Sequence, residues 1–179
     1  ATVGPAEAIG RVGLSGRTEY PHLHFSVHHG ASVIDPFAHG AAEGTCEKGR
    51  SLWLPELRDA LAYKARAVLN AGFAAQRLSM AAIDEGPATP TADAPGLLAY
   101  ARAIGLKAGD VQTVTLKGPG GEVLASNTAE PLARDQAQNM IFAGVRRPAR
   151  GWQRGRYTGE YVVRQGGRIF LRRSFELTL

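Results

Sequence analysis

The run DVQTVTLKGPGGEVLAS, Asp110 to Ser126, limits the fold more than any other stretch of this chain. Two segments that alternate apolar and polar residues flank Gly118-Pro119-Gly120-Gly121. Period-two alternation is the signature of a strand with one buried face, and the Gly/Pro cluster breaks any helix and turns the chain back on itself. The same grammar recurs in GRYTGEYVVRQGGRIFLRRSFEL, which turns at Gln165-Gly166-Gly167. LLAYARAIGL (from Leu97) and RAVLNAGF (from Arg66) are further strand candidates. Turn signals at roughly ten-residue intervals predict a β-sandwich.

Helical signals are few. LPELRDALAY places Pro55 at a starting position and predicts one or two turns. SMAAIDEG begins with Ser79 as a cap but has Ala82 where a capping box would carry Glu, so a short helix is expected there. ARDQAQNMIFAG reads either as a short helix or as the start of a strand. The fold class expected is therefore mainly β, with a few short helices. With 44% hydrophobic and 21% charged residues, the chain has the composition of a globular protein with a real core.

The first forty residues read as strand and turn. Gly10, Gly13 and Gly16 punctuate IGRVGLSG, without the strand–turn–helix context of a dinucleotide fingerprint. In HLHFSVHHG, Leu23, Phe25 and Val27 alternate with His22, His24, Ser26 and His28. That alternation predicts a strand with His22 and His24 on one face, their Cα atoms about 6.5–7 Å apart. A catalytic zinc uses about three protein ligands and a water. One imidazole of such a pair could hold the metal while the other acts on the water or the developing oxyanion. His-x-His by itself is a modest signal. His28 shares the face of His24 but lies about 13 Å along the strand, so His28 and His29 read as surface residues. VIDPF reads as a short strand stopped by Pro36, and Ala38 to Arg50 as a linker.

The surroundings sharpen the histidine pair. IGRVGLSGRTEYPHLHFSVHHGASVIDPF, Ile9 to Phe37, closely resembles the C-terminal end of the lysostaphin/LytM-type zinc peptidases, β-rich enzymes that cut peptides of bacterial peptidoglycan. The matching elements are Ile9-Gly10 with Gly13, Ser15-Gly16, the Pro21-His22-Leu23-His24-Phe25 core, and Val33 to Phe37 with Asp35-Pro36. The resemblance implies that His24 is a zinc ligand, that His22 is the catalytic histidine, and that Asp35 is a turn-maker. Tyr20 departs from the small residue that many relatives carry before the proline. The family's other two ligands, a His and an Asp in a His-x-x-x-Asp type arrangement, and a further catalytic histidine, would lie upstream of the matched region. No histidine precedes His22 here, and Glu7 and Glu19 do not form such an arrangement. The resemblance thus implies a truncated peptidase-type domain over residues 1–46, inactive as this chain alone and not expected to bind zinc by itself.

Residues 47–179 resemble, more loosely, a C-terminal extension found on some proteobacterial relatives of these peptidases. The cues are SLWLPELRDALAY, VLNAGFA, AYARAIGLKAGD, GPGGEVLA and the ending from Gly151. An aromatic strand, a Gly-Gly turn and a basic strand in succession are similar to an immunoglobulin-like module, with Trp152 and Tyr157 as core or edge aromatics. The implied location is the periplasm or cell envelope, and the implied partners are peptidoglycan peptides. Under the alternative reading, a non-catalytic binding or regulatory module, the partners are other envelope proteins.

Charge adds one constraint. The net charge is +5, but residues 1–46 carry −2 and residues 47–179 carry +7. Ten arginines from Arg134 onward face only Asp135, Glu160 and Glu176 in that tail. A solvated strand face is the preferred reading. A nucleic-acid partner is not expected, because no nucleic-acid-binding signature is present. No apolar run reaches membrane-span length and no signal peptide is visible. Cys46 is the single cysteine, so it has no partner for an internal disulfide and reads as a spectator.

Overall fold

A computed structural model describes residues 2–4, 7–18, 21–42, 44, 49–62 and 64–179. The chain divides into two compact units, Ala1–Tyr63 and Lys64–Leu179.

In the first unit the regular structure is slight. Strands β1 (Val27–His29) and β2 (Ser32–Ile34) form an antiparallel hairpin. His29 pairs with Ser32 across a two-residue loop whose first residue, Gly30, has φ 61°. Tight hairpins need this left-handed backbone, and glycine adopts it without a Cβ clash. A 3₁₀ turn (Pro55–Leu57) runs into the one-turn helix α1 (Arg58–Leu61), with Pro55 at its start as the sequence predicts. The segment between them returns to the hairpin: His39 and Arg50 exchange backbone bonds, and the Leu52 amide donates to the Pro36 carbonyl at 2.8 Å. None of the described residues from 2 to 62 is buried. Ile9 is 82% exposed and Leu23 76%, with Val33, Leu54 and Phe25 also above half.

The sequence predicts a strand from His22, but regular pairing begins only at Val27. A strand of alternating residues gains its stability from a neighbour that takes its backbone bonds and a layer that covers its apolar face. Among the described residues, β1 pairs only with β2, and Leu23 and Phe25 are 76% and 55% exposed.

The second unit is a two-sheet antiparallel sandwich. Its elements are β3 (Ala67–Ala74), α2 (Met80–Asp84), β4 (Gly96–Leu106), β5 (Val111–Lys117), β6 (Val123–Thr128), β7 (Gln136–Arg146), β8 (Arg156–Gln165) and β9 (Arg168–Thr178). One sheet has the order β3-β4-β7, the other β6-β5-β8-β9. The 133–144 segment left open by the sequence resolves as strand β7, because its full length pairs with β4 from Gln136↔Leu106 to Arg146↔Gly96. In constant-type immunoglobulin domains the fourth strand joins the first sheet, whereas here β6 lies in the larger one.

The inner faces supply one core. Ala99, Ala101 and Ala103 of β4 line one layer, and Val114, Leu116, Tyr157, Tyr161 and Val163 fill the other. Small residues on one sheet leave the volume that two tyrosines occupy from the opposite sheet, which is how close packing is reached. Near the start of β8, the buried Tyr157 hydroxyl donates to the Gln153 carbonyl at 2.8 Å, the tyrosine corner of immunoglobulin-like sandwiches. Trp152 sits edge-on to Tyr157 and donates its indole N–H to the Ala94 carbonyl at 2.8 Å. Both aromatics therefore belong to packing. Gly159 has no side chain because the Phe175 ring lies over it, and a Cβ there would collide with the ring.

The outer face of the smaller sheet is covered too. Ser79 caps α2 by accepting the Ala82 amide, and Ile83 packs with Ala74 and Tyr100. Beside them Arg102, fully buried, donates to Asp84 at 2.6 Å and to Gln138 at 2.8 Å. At the start of the unit, Arg66 forms a two-pronged pair with the buried Asp110, at 2.8 and 2.9 Å. That hydrogen bond, opposed by partial burial, raises the Arg66 pKa above its ordinary value. No described helix is long and apolar enough to cross a membrane.

Candidate functional site

His22, Leu23 and His24 line a cavity of about 520 Å³ together with Ile9, Gly10, Arg11, Val12, Gly13 and Ser15. The glycine-punctuated run and the histidine segment, separate in sequence, thus meet at one concavity in the first unit. Both histidines are exposed.

Local contacts orient this segment from both sides. Thr18 Oγ1 lies 2.9 Å from His22 Nδ1. An imidazole whose Nδ1 is engaged presents its Nε2 outward, and such a partner also fixes the ring's orientation. Next along the chain, the Phe25 ring packs on Trp53, with centroids 5.7 Å apart, and Trp53 meets Phe37 at the same distance. Aromatic pairs of this kind contribute about 0.5–1.5 kcal/mol each beyond their burial. Trp53 thereby ties the residue after His24 to the end of the β2 segment. Asp35 Oδ1 accepts the Phe37 amide at 2.7 Å, closing the turn around Pro36. This is the local side-chain-to-backbone bond that makes Asp a turn residue.

The remaining histidines stand elsewhere. His28 and His29 lie in β1 opposite Val33 and Ser32, exposed, and His39 sits at the backbone bridge to Arg50. Glu19, Tyr20, Glu43 and Cys46 lie outside the described residues. Among the described residues no group of three or more His, Cys, Asp or Glu side chains comes together as a metal site. The donor set in the cavity is two imidazoles, which suits part of a zinc centre. A catalytic zinc asks for about three protein ligands, so the described residues bring only a share of them.

Thr18, Arg11 and Trp53 were not singled out by sequence pattern. Thr18 is four residues before His22, and in an irregular segment no periodicity announces their contact. Trp53 follows His24 by a stretch read as linker, so only the folded path brings it to Phe25. No protein-family model matches this chain, and no curated protein is significantly similar to it.

Proposed function

We propose that the first unit carries part of the active centre of a zinc metalloendopeptidase that hydrolyses peptide bonds in peptidoglycan, in the bacterial periplasm or envelope. The observation that carries the reading is the shared cavity: His22 and His24 line it together with the Ile9–Ser15 run, the same residues that bear the family resemblance. His24 would hold the metal. Zinc at such a centre supplies a Lewis acid for the scissile carbonyl and makes a bound water acidic near neutral pH. His22, its Nδ1 engaged by Thr18, directs Nε2 to the reacting carbonyl, where it donates to the developing negative charge or takes a proton. The remaining ligands would come from polypeptide beyond the described residues. The exposed apolar side chains around the histidine segment support that completion, since Leu23 and Phe25 alternate as if to be covered by a further sheet. As this chain alone the unit is inactive, and the sandwich serves as an accessory module.

A second reading is a non-catalytic binding or regulatory module docking envelope proteins, in keeping with described residues that bring together no group of three or more His, Cys, Asp or Glu side chains. Zinc content and peptidoglycan cleavage, measured on this chain and on a version extended upstream, separate the two. The peptidase reading expects about one zinc per extended chain, cleavage that His22→Ala abolishes without metal loss, and metal loss in His24→Ala. An extended chain that is metal-free and inert refutes it and leaves the binding module.

A further inference from the structure

Among the described residues, Arg11 is the one lining residue of the histidine cavity with a fixed charge, and that charge is positive. The rest of the wall is apolar or neutral: Ile9, Val12 and Leu23, the glycines Gly10 and Gly13, and the Ser15 hydroxyl. No carboxylate contributes to it among the described residues. Among the described acids of the unit, Glu7 accepts the Gly4 amide at 2.8 Å and Asp35 the Phe37 amide at 2.7 Å. Among the described residues Arg11 forms no ion pair. Arg11 is exposed and lines the same concavity as the two histidines, and no described acid neutralises it.

From this arrangement we infer that Arg11 determines substrate choice at the cavity, selecting a peptide that carries a free carboxylate close to the group His22 faces. The assignment rests on the peptidase reading for its link to cleavage, but the recognition itself needs only the cavity. A guanidinium presents parallel donors matched to the two oxygens of a carboxylate, which an amide oxygen cannot satisfy in the same way. The backbone beside it is open: a Cβ built on Gly10 or Gly13 would meet nothing within 4 Å. A peptide main chain can therefore lie along the Gly10–Gly13 wall while its carboxylate reaches Arg11. The charge is solvent-exposed, so the preference is modest, about two- to fivefold over the neutral analogue, and weakens as salt rises.

The test uses the full chain and two tetrapeptides identical except that one ends in a free carboxylate and the other in a carboxamide. Their dissociation constants are read by NMR from the His22 and His24 ring signals. The carboxylate peptide should bind about two- to fivefold tighter. Arg11→Gln should abolish that difference, Arg11→Lys should keep part of it, and Arg17→Gln, the same charge removed outside the cavity wall, should leave it intact. Equal affinity for the two peptides, a preference that survives Arg11→Gln, or no binding of either at millimolar concentration overturns the assignment. A second measurement separates it from the peptidase reading. If the upstream-extended chain neither holds zinc nor cleaves while the Arg11-dependent preference persists, only the peptidase reading falls. If that extended chain cleaves both peptides with equal kcat/KM, only the role of Arg11 falls.

Discussion

Replacing Arg66 with methionine keeps the length of the side chain and removes its charge. In the native chain the Asp110 carboxylate is fully buried and accepts Arg66 Nε at 2.8 Å, Arg66 Nη2 at 2.9 Å and the Lys107 amide at 2.8 Å. The variant leaves a buried carboxylate without its counter-charge. Removing one partner of a buried pair costs about 3–5 kcal/mol, against the 0–1 kcal/mol of an exposed pair. Arg66 Nη2 also donates to Gln165 Oε1 at 3.1 Å, so a small further loss is expected. A domain stable by about 5–15 kcal/mol would lose about a fifth or more of its margin. In urea, where m is about 1–3 kcal/mol/M, the midpoint should drop by roughly 1–5 M. The double variant Arg66→Met/Asp110→Leu removes both charges, and its cost should fall to about 1–2 kcal/mol for the lost bonds to the Lys107 amide and Gln165. It should therefore be more stable than Arg66→Met alone. The assay is urea unfolding followed by tyrosine and tryptophan fluorescence. A loss below about 1 kcal/mol for the single variant, or a double variant less stable than the single, refutes the argument that burial makes this pair strong.

Tyr157→Phe deletes only the hydroxyl that bonds the Gln153 carbonyl, and should cost about 0.5–1.5 kcal/mol in the same unfolding assay with the fold unchanged by circular dichroism. Thr18→Val removes the partner of His22 Nδ1 and should shift the ring toward a mixture of tautomers, read from its ¹⁵N chemical shifts; an unchanged pattern would mean that the contact does not orient the ring. Asp135 is held below its ordinary pKa of 3.8 by the Lys107 ammonium first and the Ala108 amide second. A carboxyl lowered on folding stabilises above its ordinary pKa and loses that contribution as pH falls through the folded value. Asp135→Asn should therefore flatten the stability profile below about pH 4, and an identical acid limb in the variant would count against the assignment.

The sandwich was readable because its signals are local. The Gly-Gly turn at 166–167, with both residues at positive φ, and the alternation of β5, where Gln112, Val114 and Leu116 point inward, are properties of neighbouring residues. A strand's period and a turn's backbone are decided within a few positions, so a single sequence carries them. The zinc peptidase proposal likewise rests on one contiguous motif, Ile9 to Phe37.

Tertiary structure decided what depends on residues far apart. Whether the histidine segment pairs as a strand depends on a neighbour, and among the described residues pairing starts only at Val27. Arg102 and Asp110 are charged residues that pattern alone would place in water; their burial follows from Asp84 and Arg66 arriving from other elements to neutralise them. The meeting of Arg11 with His22 and His24, and of Trp53 with Phe25, needed the chain path itself. Periodicity records which way a side chain points, while its partner is set by the packing free energy of the whole unit, which no short window contains.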